Sequence, residues 1–329
     1  VGVEFGVLLF RKGEPMSKIP LPRPLRGIVP PMVTPLKDRD TLDLAGLERL
    51  VEHILAGGVH GLFILGTTGE GPSLSYRLRC ELIERVCGQV DGRAPVLVGV
   101  TDTAFVESVN LAGIAADEGA AAVVLAAPYY FPAGQQELLE YLEHIVAEMP
   151  LPVFLYNMPS HTKIKFELDT LRQALALPNI VGLKDSSGDL GYFRQAAEVV
   201  RMYPGAALLM GPERLLAESL ALGGYGGVCG GANLLPRLFV DVYEAATQGD
   251  RGRLAGLQRR VEQVGDSLYT IGKHSSAFLK GVKCALACLG ICEDAMAEPF
   301  QRFRPREREQ VLRGLRELGL ERTLAGASV

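Results

Sequence analysis

Between Gly27 and Leu235 the chain repeats one unit: a short apolar run rich in β-branched residues, a corner of Gly, Thr, Ser or Pro, then a stretch with helical periodicity. The apolar runs are "GIVPPMVTPL", "GLFILGTTGE", "PVLVGVTD", "AAVVLAAPYY", "PVFLYNMP", "IVGLKDSSGD", "ALLMGPE" and "GGVCGGANL". Strands joined through helices must run parallel, because a hairpin is too short to hold a crossover. Eight such strands favour closure, so the expected fold is α/β: a (β/α)8 TIM barrel. The runs lack polar alternation, as expected of strands covered on both faces, one by the barrel filling and the other by helices. A doubly wound open sheet is the alternative, but no GxGxxG follows the first strand.

The intervening helices show apolar positions three and four apart, as in Leu44, Leu47, Leu50, Val51 and Ile54, or Leu78, Leu82, Ile83 and Val86. After Pro236 the strands stop and the pattern is helical through "RLFVDVYEAATQGDRGRLAGLQRRVEQVGDSLYTIG", "SAFLKGVKCALACLGI" and "REREQVLRGLREL". That exceeds one closing helix, and no low-complexity linker intervenes, so a C-terminal helical extension packed on the barrel is expected. The organisation expected is a loosely ordered tail over 1–18, the barrel over 19–235, and the closing helix with its extension over 236–324, the final "AGASV" being disordered. Glu4 and the lack of a small-residue cleavage motif argue against a secretory signal, and Met16 is the expected native start.

With 329 residues, 48% hydrophobic and 22% charged, the chain can bury a large core. A net charge of −4 with interspersed signs makes no electrostatic case for nucleic acid or an anionic membrane. There is no apolar window of about 18 residues to span a bilayer. Six cysteines without a CxxC pair read as reduced thiols of a cytoplasmic protein. Small-molecule chemistry is the expectation.

In parallel barrels reactive groups gather at the C-terminal strand ends. Lys184 stands there, at the end of "IVGLK". Burial works against an ammonium ion, and a free amine is a nucleophile. A lysine at a strand end otherwise snorkels to solvent or pairs with a neighbour such as Asp185. Its company favours chemistry: a Schiff base needs an unprotonated amine, a proton relay and a binder for the substrate carboxylate. Tyr156, one strand earlier, can shuttle the proton. Thr67 and Thr68 offer hydroxyls and consecutive N–H groups in a glycine-flanked turn, although "GTTGE" also reads as an ordinary turn with a helix cap. The glycines of "GGYGGVCGGANL" lack the Lys and Ser/Thr of a P-loop and indicate close backbone packing.

"GTTGE", "YNMPS" and "IVGLKDSSGD", in this order on strands two, five and six, resemble the pyruvate-dependent class I aldolases typified by dihydrodipicolinate synthase and N-acetylneuraminate lyase. The similarity runs from about residue 27 to 320. It implies that Lys184 condenses with the ketone of a 2-oxo acid, that Tyr156 relays protons, and that Thr67 and Thr68 hold the pyruvate carboxylate. It also implies that Val228 offers its backbone carbonyl near the imine. In the synthase branch the second tyrosine of "PYY", here Tyr130, completes the relay from the neighbouring subunit of a dimer, and the family likeness suggests a homo-oligomer, dimer or tetramer. Tyr129 is expected to be a core aromatic. The chemistry calls for no cofactor.

Synthases of this family usually carry "PSRTG" after the strand-five tyrosine, where the arginine grips the carboxylate of the incoming aldehyde. Here the stretch is "PSHTK". His161 cannot make a two-pronged guanidinium contact, and Lys163 would place a charge elsewhere. The expected activity is therefore cleavage or condensation of a 2-oxo acid with pyruvate as one component. A 2-oxo-3-deoxy sugar acid or a 4-hydroxy-2-oxo acid is the expected type, its polar groups bonded by Ser160, His161 and Ser186. "IVGLKDSSGD" and "GGVCGGAN" also resemble the 4-hydroxy-2-oxoglutarate aldolase branch. The alternatives are 4-hydroxy-tetrahydrodipicolinate synthase, acting on pyruvate and aspartate semialdehyde, and a non-catalytic pyruvate-binding sensor. A metal-dependent aldolase is disfavoured, since the five histidines show no HxH or HExxH spacing. Cys284, Cys288 and Cys292 line one helical face at spacing four and are expected to be small buried hydrophobes rather than metal ligands.

Overall fold

A computed structural model describes residues 19–320. The expectations for residues 1–18, for the native start and for the last residues fall outside this span. All eight expected strands form, as β1 (Gly27–Ile28), β4 (Leu62–Ile64), β5 (Val96–Gly99), β6 (Ala122–Ala126), β7 (Val153–Asn157), β8 (Ile180–Asp185), β9 (Ala207–Met210) and β10 (Gly226–Gly227). They pair in parallel in the order β1-β10-β9-β8-β7-β6-β5-β4. Between β1 and β4 runs a hairpin absent from the sequence reading, β2 (Leu36–Asp38) with β3 (Thr41–Leu42), turned by the acidic "DRD" corner.

The barrel closes between β1 and β4 in an unusual way. Pro30 and Pro31 have no N–H, so a regular ladder cannot continue past Ile28. Closure instead uses their carbonyls and the residues on either side: His60 N–H donates to Ile28 O (2.8 Å), Phe63 N–H to Pro30 O (2.9 Å) and Met32 N–H to Phe63 O (2.8 Å). Asn233, fully buried, staples the seam from the β10 side. Its Oδ1 accepts from Val33 N–H (2.9 Å), and its Nδ2 donates to Pro31 O and Gly230 O (2.8 Å each). Asn233→Ala would strip buried backbone groups of their partners at about 1–3 kcal/mol each. The expected loss of unfolding free energy is therefore about 2–4 kcal/mol. Urea melts at constant m-value read it, and a loss below about 1 kcal/mol would remove the staple role.

The barrel helices are α1 (Leu44–Ala56), α2 (Tyr76–Val90), α3 (Phe105–Asp117), α4 (Gln135–Glu148), the one-turn α5 (Pro159–Thr162), α6 (Leu168–Ala176), α7 (Leu190–Arg201), α8 (Leu216–Ala221) and α9 (Pro236–Gln248). Side-chain caps set several starts: Asp43 accepts from Gly46 N–H and Ser75 from Leu78 N–H. The expected apolar stripes are buried, except that Leu44, the first residue of α1, is exposed because it sits ahead of the packed face. After α9, Gly249 takes the left-handed conformation that ends the helix, and Asp250 caps the next. The extension is α10 (Arg251–Leu268), α11 (Ala277–Cys288) and α12 (Pro305–Glu317). Its Val264, Leu268, Val282, Leu286, Val311 and Leu315 belong to the same apolar core as the barrel helices.

A second cluster fills the lumen, built from Leu25, Val29, Phe63, Leu97, Ala122, Val124, Ala126, Phe154, Tyr156, Val181, Ala207, Leu209 and Val228. The strands thus do alternate: Phe154 and Tyr156 face inward, whereas Val153 and Leu155 face the helices. Cys284 is buried and Cys288 half-buried on α11, but Cys292 lies beyond the end of that helix. The single helical face expected for the three cysteines is therefore not formed. Among the described residues no group of three His, Cys, Asp or Glu side chains is arranged to hold a metal ion. No helix among them is long and apolar enough to cross a membrane.

Candidate active site

The register of β7 and β8 places Tyr156 beside Lys184 and Asn157 beside Asp185. Because side chains alternate along a strand, the first pair faces the lumen and the second faces away. Lys184 is 5% exposed, so it does not snorkel to solvent. Its Nζ sits 3.9 Å from the centroid of the Tyr156 ring and 4.9 Å from that of Phe63. Nor does Asp185 pair with it. Asp185 accepts instead from Asn157 Nδ2 (2.7 Å), Ser187 N–H (3.1 Å) and Ser187 Oγ (3.0 Å). Burial raises its carboxyl above the ordinary range, these bonds and the charge of Lys165 opposing.

Tyr156 is the junction of the site. Its hydroxyl lies 3.3 Å from Thr67 Oγ1. Burial alone would raise the phenol, but the charge of Lys184, with hydrogen bonds to Thr67, Ser186 and Lys184, brings it below an ordinary tyrosine. The Ser186 hydroxyl points to the mouth, where a Cβ on Gly211 would come within 2.0 Å of it. Only glycine at 211 leaves that hydroxyl its place.

Thr67 and Thr68 lie on the turn after β4. Leu65 takes a left-handed conformation (φ 58°), which reverses the chain into Gly66. The turn is tied by Glu70 N–H to Thr67 O (3.1 Å) and Gly71 N–H to Gly66 O (3.2 Å), and Thr34 Oγ1 donates to Gly69 O (2.7 Å). Among the described residues the N–H groups of Thr67 and Thr68 are not spent on any carbonyl. They are free to receive an anion.

Val228 follows β10 in the lumen cluster, and its N–H donates to Met210 O (2.7 Å). In this register the donor that would return a bond to the Val228 carbonyl is residue 212, a proline. The carbonyl is thereby left over from the ladder at the barrel mouth.

The other expected residues stand further out. Ser160 and His161 occupy the exposed one-turn α5, with Ser160 Oγ 2.9 Å from His161 Nδ1. Burial and then the charge of Lys163 lower the His161 pKa, which keeps the ring neutral near pH 7. Lys163 Nζ donates to Ser160 O (2.8 Å). Tyr130 is 75% exposed, stacked edge-on with the exposed Phe131. The chain itself does not bring Tyr130 to Lys184. Tyr129 is half-buried and joins none of the apolar clusters of the described residues, so it is not the core aromatic expected.

Sequence reading missed Phe63, the ring under the amine, which looked like any apolar strand residue. It also assigned no task to Glu70, though its partner left a signal: Lys283 interrupts the apolar run "FLKGVKCALACLGI" and requires a carboxylate.

Residues 24–318 match the model of the Dihydrodipicolinate synthetase family. The structure of dihydrodipicolinate synthase from Bacteroides thetaiotaomicron superposes with a TM-score of 0.87 at 52% sequence identity, over 89% of this chain and 99% of that one. A protein named an uncharacterized DapA-like lyase, from Halobacterium salinarum, is 33% identical over 299 residues, 91% of this chain and 96% of its own. The probable 2-dehydro-3-deoxy-D-pentonate aldolase YjhH of Escherichia coli is 33% identical over 267 residues, 80% of this chain and 87% of its own. With eight parallel strands, a buried lysine at the sixth strand end and matches along nearly its whole length, the chain belongs to the dihydrodipicolinate synthetase family, whose members are pyruvate-dependent class I lyases.

Proposed function

We propose that Lys184 is the Schiff-base nucleophile of an aldolase acting on a hydroxylated 2-oxo acid and releasing pyruvate. The observation that carries this reading is the burial of the Lys184 amine against Tyr156. The amine lone pair attacks the C2 ketone, Tyr156 delivers a proton to the departing oxygen, and water leaves as the iminium forms. The iminium draws electrons from the C3–C4 bond. As that bond breaks, Tyr156 accepts the C4 hydroxyl proton, an aldehyde departs and an enamine remains. Protonation at C3 and hydrolysis of the iminium free pyruvate and restore the lysine. Thr67 and Thr68 hold the carboxylate through their hydroxyls and unspent N–H groups, and the Val228 carbonyl faces the imine.

The second component is assigned to the C4 side of the mouth, where Ser186, Ser160 and His161 would bond substrate hydroxyls. A neutral His161 offers no fork for a second carboxylate, which favours a 2-oxo-3-deoxy sugar acid or 4-hydroxy-2-oxo acid. The name of the Escherichia coli relative is in line with this. The synthase reading, pyruvate plus aspartate semialdehyde, is favoured by the name of the relative at 52% identity. In both readings Tyr130 reaches the site of a second copy, and the working form is a homo-oligomer.

Borohydride reduction in the presence of pyruvate is expected to fix an adduct on Lys184, located by peptide mass spectrometry. A folded protein without adduct sinks the Schiff-base assignment. A screen of 2-oxo-3-deoxy sugar acids, 4-hydroxy-2-oxoglutarate, N-acetylneuraminate, and aspartate semialdehyde with pyruvate is expected to show the highest kcat/KM for one of the hydroxylated 2-oxo acids. Preference for aspartate semialdehyde establishes the synthase instead.

A further inference from the structure

Behind the turn that carries Thr67 and Thr68 lies a buried ion pair for which the reaction as described has no use. Glu70, in a left-handed conformation (φ 55°), turns its carboxylate away from the lumen. Oε1 accepts from Lys283 Nζ on α11 (2.7 Å) and Oε2 from Ala297 N–H (2.8 Å), with the Glu70 and Lys283 side chains 2% and 0% exposed. The two partners are 213 residues apart in sequence. A well-packed apolar pair would serve stability as well or better, since burying both charges costs about what their attraction returns. The pair therefore calls for a task that apolar residues cannot do.

We propose that Glu70 and Lys283 are positioning residues for the anion cradle. The Glu70 carboxylate anchors the turn to the C-terminal extension, and the Lys283 ammonium cancels a negative charge that would repel the substrate carboxylate from Thr67 and Thr68. The inference rests on the reading that this turn binds the carboxylate of pyruvate. It makes the extension a working part of the site, because α11 and the segment before α12 supply both groups that fix Glu70. The sign of the charge decides the consequence. Removing the lysine leaves an uncompensated anion three residues from the cradle, whereas removing both charges leaves none. Gln at 70 keeps an acceptor for Ala297 N–H.

The test compares Lys283→Met, Glu70→Gln/Lys283→Met and the parent protein, with pyruvate as ligand, circular dichroism as the check on folding, and KM and kcat for the preferred substrate. Lys283→Met is expected to raise the pyruvate concentration for half-maximal borohydride trapping, and KM, tenfold or more with kcat within threefold. The double variant should return both to within threefold of the parent. A merely structural pair would not be rescued selectively in KM. A folded Lys283→Met protein with trapping and KM within threefold of the parent overturns the proposal, as does a double variant shifted tenfold or more. Should Lys283→Met not fold, Lys283→Gln, which keeps a donor, takes its place. Where neither single variant folds, the double variant decides by the same thresholds. Absence of any adduct in the parent removes the Schiff-base reading, and this role with it; an adduct in the parent with unchanged variants removes this role alone.

Discussion

Lys184→Ala is expected to abolish adduct formation with pyruvate and to lower kcat/KM by on the order of 10⁴–10⁶-fold, while the barrel stays folded. The size follows from the division of labour in the mouth. Among the described residues Lys184 has no ion-pair partner, so truncation leaves no orphaned counter-charge and costs the fold little. It removes the one amine held against the Tyr156 ring, and with it the iminium that makes the C3–C4 bond breakable. Trapping with borohydride, turnover of the preferred substrate and far-UV circular dichroism on the same sample separate chemistry from folding. Turnover within tenfold of the parent would show that another group forms the intermediate.

Tyr156→Phe is expected to spare pyruvate binding and slow turnover by about 10²–10⁴-fold, as loss of a positioned general acid and base does. The phenyl ring keeps the apolar contact with Lys184, so the variant isolates the hydroxyl. Burial raises the phenol of Tyr156, but the adjacent ammonium and hydrogen bonds more than offset it, so the parent exchanges its proton at lower pH than an ordinary tyrosine. The corresponding limb of the pH–rate profile should vanish in the variant. Single-turnover rates across pH check both points, and an unchanged rate removes Tyr156 from the proton path.

The architecture was legible because it depends on local regularities. Eight apolar runs, each followed by a Gly, Pro or Thr corner and an amphipathic stretch, leave few topologies other than a parallel barrel. Lys184, Tyr156 and the two threonines stood out because polar groups at strand ends are rare in so apolar a pattern, and three motifs in order supported them. The seam at Pro30 and Pro31 was not legible, since prolines there argue against a strand until Asn233, 200 residues away, is seen to complete the bonding. Tyr130 remained exposed, because one chain cannot show what a second copy would cover.

By itself the sequence determined the repeating unit, the helical C-terminal part and the chemical types at the strand ends, because each follows from periodicity and side-chain chemistry within a short window. Only the tertiary structure decided which face of each all-apolar strand turns inward, and so that Lys184 meets Tyr156 rather than Asp185. It alone paired Glu70 with Lys283, and left the Val228 carbonyl without a donor opposite Pro212. The physical reason is the same in each case: register and long-range pairing are settled by packing the whole barrel at once, and no local stretch of chain carries that information.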